Sequence, residues 1–243
     1  MNFNKDKDDI AITIPGFRMR KGADFLGRNE IGIVTLAVDA SGTANPTPTL
    51  FTNSFFIPQV KQWTWVKFGG HGRIVYGPKN PGSFVYYSVL FVESDQDVRE
   101  FGETVTSLFD SPEAKEIVRT LTTPHPTALL VSTVLTELGR LVGKILSKNQ
   151  NDLVYSTEGS FFRNTLPPYN IDDEFSTEGE HIECQIRVIP LGPEAEGRVA
   201  GSQPGSFAER DAPAAETLTD SSTPLALEKL AGVPKALKFL AGQ

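Results

Sequence analysis

The chain has 243 residues, 39% of them apolar and sixteen of them Phe, enough for one large domain or a domain with an appendage. A net charge of −7 and a pI near 5.1 argue against a general nucleic-acid binder, which needs Lys and Arg to displace counterions from phosphate. The single cysteine, Cys184, excludes an intramolecular disulfide. The opening "MNFNKDKDDI" is charged and has no apolar core, unlike a signal peptide. The most apolar stretch, 128–146, carries Glu137, Arg140 and Lys144, whereas a membrane span needs about 20 mostly apolar residues. The expectation is a soluble, cytoplasmic protein.

Residues 10–92 read as β structure. "IAITI" (10–14) is short and apolar, and "EIGIVTLAVDA" (30–40) is apolar on both alternating sets. "TLFTNSFFI" (49–57) and "VKQWTWVKF" (60–68) follow, separated by Pro58. "GRIVYG" (72–77) and "SFVYYSVLFV" (83–92) are bounded by Gly, Pro and Asn. β-branched and aromatic runs punctuated about every ten positions by turn residues predict antiparallel sheets packed face to face.

The period then changes. Val98, Phe101, Val105 and Leu108 repeat at three and four, and "SPEAKEIVRTL" (111–121) starts afresh. Ser111 suits an N-cap, Pro112 the first helical position, and Glu113 and Glu116 the positive end of the dipole. "TTPHPT" (122–127) breaks the helix. A second helix over 127–147 carries a wide apolar stripe, from Leu129 to Leu146, that must be buried. Strands return at 152–156, 160–163 and 180–190. In the last, Ile182, Cys184, Ile186 and Val188 share one face, which makes Cys184 a small buried apolar residue. "STEG" occurs at 156–159 and 176–179, each time as a plausible turn.

At Gly192 the composition shifts. Residues 192–222 are rich in Ala, Gly, Pro, Ser and Glu and read as a flexible linker. Residues 223–243 are apolar again. Leu225, Leu227, Leu230, Val233, Leu237, Phe239 and Leu240 alternate with Lys229, Lys235 and Lys238, and Pro234 splits the segment into two short helical pieces.

Several constellations of residues bear on chemistry. "ESDQD" (93–97) and "NIDDEF" (170–175) supply Asp95, Asp97, Asp172 and Asp173, a candidate calcium set if loops at one end of a sandwich converge, with Asp39 as a further contributor. The competing reading is that Ser94 or Asp95 caps a helix and Asp97 and Glu100 favour its first turn. "GGHGRIVYG" (69–77) lacks the Gly-Lys-Ser/Thr of a phosphate loop and reads as a turn. His71, His125 and His181 have no zinc spacing, and no GxSxG elbow is present. Trp63, Trp65, Phe68, Tyr86 and Tyr87 form a sandwich core or line a sugar or peptide groove, the core being the commoner fate.

The predicted fold is mainly β: an antiparallel β-sandwich over residues 1–191, with a helical hairpin at 95–148 inserted between strands. Its outline resembles two-sheet modules of the C2 kind in architecture only, and no motif ties the chain to a family. The expected function is a non-enzymatic binding or structural protein whose residues 223–243 engage a protein partner in a larger assembly, with oligomerisation or a multivalent partner raising effective concentration. Two alternatives stand beside it. One is a calcium-assisted module on an anionic membrane surface, using the four aspartates and the lysines of the tail. The other is a carboxylate-based hydrolase without a visible motif.

Overall fold

The computed structural model describes residues 3–21, 29–40, 50–94, 98–122, 127–147 and 151–191. In chain order these form β1 (Asp9–Met19), β2 (Asn29–Asp39), β3 (Leu50–Val60), β4 (Trp65–Lys67), β5 (Arg73–Lys79) and β6 (Phe84–Glu93). Helices α1 (Val98–Asp110), α2 (Pro112–Arg119) and α3 (Ala128–Ser147) follow, then β7 (Asp152–Phe162), β8 (Glu174–Glu178) and β9 (Ile182–Leu191). One sheet runs β4-β1-β9-β8, with β5 also on β1; the other runs β3-β2-β6-β7. Every strand pairing is antiparallel. Among the described residues, no helix is long and apolar enough to cross a membrane.

The two sheets face each other across a core that includes Ile12, Phe17, Ile33, Phe91, Cys184 and Ile186. The helices cover the other face of the second sheet, and a separate core forms there from Val34, Leu36, Leu90, Phe101, Leu135 and Leu138. This explains the unusual pattern of β2. Ile31 and Ile33 point between the sheets, while Val34, Leu36 and Val38 point at the helices, so both alternating sets are apolar. Among the described residues, no helix lies on the outer face of the first sheet. Its residues alternate accordingly: in β9, Ile182, Cys184, Ile186 and Val188 are buried and the intervening side chains are only partly so.

Local details follow from chemistry. The Ser111 hydroxyl accepts the Ala114 N–H at 3.2 Å, with Pro112 at the first helical position, and this cap divides the first arm of the helical insertion into α1 and α2. Gly32 lies under the Phe101 ring, which occupies the space a Cβ would need. "STEG" at 156–159 is not a turn: it lies inside β7, where Gly159 makes room for Tyr87, whose ring would sit 2.6 Å from an added Cβ. The second copy ends β8, and Gly179 yields in the same way to Tyr155. Residues 152–163, expected as two strands, are therefore one. β8, expected as an acidic loop, is a short edge strand on β9.

The predicted strand at 60–68 is shorter than expected. Gln59 (φ 59°) and Trp63 (φ 60°) take left-handed backbone, so the chain turns from one sheet to the other; Gln62 makes a single bridge to Met19, and the ladder on β1 is confined to Trp65–Lys67. At one end of the sandwich Glu93 lies opposite Asp152 and Met19 opposite Ile182. At the other, Asp39 lies opposite Val85 and Asp9 opposite Leu191.

Candidate functional site

The uncovered face of the first sheet carries the clearest binding chemistry. Val66 packs into the core between the sheets, so Trp65 and Lys67, its neighbours in β4, point outward. In β1, Phe17 points inward and Arg18 outward, directly across from Trp65. The Arg18 guanidinium lies 5.4 Å from the Trp65 ring centre and 5.9 Å from that of Trp63, and its Nε donates to Glu183 Oε2 at 2.6 Å. Trp63 is 61% exposed, although its left-handed backbone is costly for a bulky residue. Its N–H donates to the Met19 carbonyl at 2.7 Å, which fixes the turn. An indole is thus held out in solvent beside a cation, a stacking platform for a flat or charged ligand.

The wall continues around the edge. Lys67 lies opposite Gly16 and faces outward, whereas Arg73, at the start of β5, lies opposite inward-facing Ile14 and turns in at the open edge between the sheets. A tight turn joins them, closed by Gly72 N–H to the Gly69 carbonyl, with His71 exposed at its tip. Arg73 sits over the Phe68 and Phe55 rings at 5.3 and 5.6 Å. Of the five aromatic residues weighed from the sequence, Tyr87 is buried and Phe68 and Tyr86 pack against the two cores. Trp63 and Trp65 instead belong to the surface.

A second cluster holds the two sheets together at the Asp39 end. Asp39 is fully buried, and its Oδ2 accepts the Tyr76 hydroxyl at 2.6 Å and faces Lys79 Nζ at 3.3 Å. Burial, and then the Asp39 carboxylate, push the Tyr76 phenol far above its ordinary range. The pair joins β2 of one sheet to β5 of the other. The Asp39 carboxylate is directed at Tyr76 and Lys79 and so latches the two sheets together; among the described residues it belongs to no group of three or more His, Cys, Asp or Glu that could hold a calcium ion.

Asp172 and Asp173 are exposed on the turn before β8, with Asp172 N–H donating to the Val188 carbonyl. Phe175, two residues on, packs in a tilted arrangement on Phe161, ring centres 5.6 Å apart, and Phe161 pairs with Val85. Glu93 lies eight residues further along β6, about 26 Å at roughly 3.3 Å per residue. Glu93 and Ser94 therefore lie at the end of the sandwich opposite to Asp172 and Asp173. Asp95 and Asp97 themselves lie outside the described residues. Among the described residues no group of three or more His, Cys, Asp or Glu is placed to hold a metal ion. Ser94 is buried, and its N–H extends the ladder to the Glu30 carbonyl; residues 95–97, which it would cap, lie outside the described residues. Glu100 is in the first turn of α1, as the dipole favours.

Cys184 is buried on the inward face of β9, and burial pushes its thiol up to about 12. Burial also raises the phenol of Tyr87. Folded Cys184 is expected to resist a thiol-reactive dye that labels it at once in denaturant. The charged thiolate is disfavoured only in the folded state, so the unfolded chain loses this proton first as pH rises. Cys184 thus lowers stability progressively between its ordinary value of 9.0 and about 12. Melting temperature measured from pH 8 to 11 should fall less steeply in Cys184→Ala than in the parent.

The partner-binding set Leu225, Leu227, Leu230, Val233, Leu237, Phe239 and Leu240, and the linker before it, lie outside the described residues. The basic wall escaped the reading of motifs because it has none. The signal that finds it is compositional: residues 40–92 contain no Asp or Glu while carrying Lys61, Lys67, Arg73 and Lys79. Neither family models nor curated protein sequences match this chain.

Proposed function

We propose that this is a non-enzymatic binding or structural protein of the cytoplasm that joins a larger protein assembly through residues 223–243. The β-sandwich supplies the rigid body and its uncovered face. The observation that supports this reading most is that the described residues by themselves form two large apolar cores, one between the sheets and one under the helices. A further oily, lysine-bearing segment at 223–243 suits a groove on another protein, which reads apolar side chains at helical spacing. The buried ionisable groups Tyr76, Tyr87 and Cys184 are held neutral, as structural groups are and activated nucleophiles are not. A free buried thiol also suits a reducing compartment.

The test is removal of residues 223–243 in the native host. The truncated chain should keep its melting temperature and sediment as a small species, while the full chain travels with a large one. A truncated chain that unfolds or aggregates would make the segment part of the core and end the proposal.

A further inference from the structure

A sheet edge offers unpaired N–H and C=O groups to any passing strand, and proteins blunt such edges with charge, proline or shortness. Among the described strands the two sheets end in four edges. β8 is 5 residues long and carries Glu174 and Glu178; β7 carries Asp152 and Glu158. β4 and β5, end to end on β1, carry Lys67, Arg73, Pro78 and Lys79. β3 is different. It is 11 residues long without a charged side chain, and among the described strands it pairs only with β2. Pro58 and the left-handed Gln59 interrupt only its far end, and Leu50–Phe56 keeps an unbroken register with β2.

The order of residues along this edge carries the argument further. Read outward from Asn53, the strand is nearly the same in both directions: Thr52 and Ser54, then Phe51 and Phe55, then Leu50 and Phe56. An antiparallel two-fold pair centred on Asn53 therefore sets hydroxyl against hydroxyl, ring against ring and apolar against apolar, with Asn53 facing its own copy. The two faces of the strand match as well. Phe51 and Phe55 are half-buried at the rim of the core between the sheets, while Leu50 and Phe56 are buried beneath the helices. β2, an interior strand, is buried almost throughout, whereas every residue from Phe51 to Phe55 is only partly so. One more strand on this edge would complete that burial.

We propose that β3 pairs with β3 of a second copy, antiparallel and about a two-fold axis through Asn53, so that the four-stranded sheets of the two copies run on as one. The seam is short, Leu50–Phe56 from each copy, so the dimer is concentration-dependent and forms at about micromolar protein or above. Like charges meet there. Arg73 lies 5.6 Å from the Phe55 ring and Lys79 5.4 Å from that of Phe51, so the pairing brings Arg73 of one copy toward Lys79 of the other. Arg73 holds no carboxylate, unlike the other described arginines, Arg18, Arg20, Arg99, Arg119, Arg140, Arg163 and Arg187. Each copy also carries a net charge of −7. Salt therefore strengthens this seam, as it would not strengthen an ionic contact. None of this depends on what residues 223–243 bind.

Cysteines placed along β3 of the full chain test the register, because the native Cys184 is buried. Facing residues of an antiparallel pair have Cα atoms about 4.5 or 5.5 Å apart in alternation, both within disulfide reach. Under mild oxidation at about 0.1 mM protein, suited to a small interface, Asn53→Cys should link to itself. A mixture of Thr52→Cys and Ser54→Cys should give the mixed dimer in preference to either self-linked one. Both linkages should form about ten times faster or more than self-linking of Ser156→Cys on the exposed edge of β7, because the paired copies hold the thiols together. Relative to Ser156→Cys, linkage at position 53 should speed up in about 0.5 M salt and slow severalfold when Ser54→Lys is added, which sets like charges diagonally across the seam. A dimer made by residues 223–243 would show none of this register. No linkage at 53, no preference for the mixed dimer, a rate at 53 no greater than at 156, or linkage that salt slows or Ser54→Lys leaves unchanged overturns the proposal.

Discussion

Replacing Phe101 with Ala is expected to cost about 4 kcal/mol and to lower the melting temperature by on the order of 10 °C. Phe101 is fully buried where α1 meets the second sheet, 5.7 Å from Phe56 and against the bare backbone of Gly32. The ring fills space that no neighbour reaches by relaxing, because β2 is held in the sheet by β3 and β6. The partner experiment is Gly32→Ala. The new methyl has no room, so overpacking should cost about 2 kcal/mol. Joining Gly32→Ala to Phe101→Leu should cost less than the two single changes added together, by about 1 kcal/mol or more. Urea denaturation of the four proteins measures this, and strict additivity would show that the ring and the glycine are not packed as described.

The second large effect belongs to Asp39. Changing it to Ala removes the acceptor of the buried Tyr76 hydroxyl and the carboxylate facing Lys79. A buried donor left without an acceptor costs about 1–3 kcal/mol and a hydrogen bond to a charged group contributes about 1.5–3, so a loss near 3 kcal/mol is expected. Tyr76→Phe removes one hydroxyl from the same bond and should cost about 1 kcal/mol. Lys79→Met should be close to neutral, because the Lys79 side chain is about a third exposed and solvent screens the pair. The order of the three midpoints in urea is the diagnostic. A mild Asp39→Ala would mean that the sheets are joined by apolar packing alone at that end.

Much of the fold was legible in the residues, for definite reasons. "EIGIVTLAVDA" is apolar on both alternating sets because β2 is covered on both sides, by the other sheet and by α1. The wide stripe of α3 lies on β6 and β7, and the alternation of β9 marks a strand with one open face. β8 was hidden because "EFSTE" offers one inward aromatic, Phe175, amid acids that elsewhere signal a loop. β7 was cut in two because Gly and Ser read as a turn, whereas the glycine answers a tyrosine on the neighbouring strand. Such a reason is nonlocal, so no window of sequence contains it. The site is harder still. "WTW" has the spacing of one strand face, yet Trp63 is in a left-handed turn and meets Trp65 only through Arg18 of another strand. The isolation of Arg73 emerges only once the other described arginines have found their carboxylates.

The helices leave β6 and return as β7, and these two strands are immediate neighbours, with Glu93 opposite Asp152. Topologically the whole helical excursion is thus an enlarged hairpin loop. Excising it and closing the gap with a short turn would preserve the hydrogen-bonded ribbon, but would strip Val34, Leu36, Leu90 and Val92 of their roof. The trimmed molecule should still pair its strands and yet come out of solution, a sticky plate in place of a wettable one.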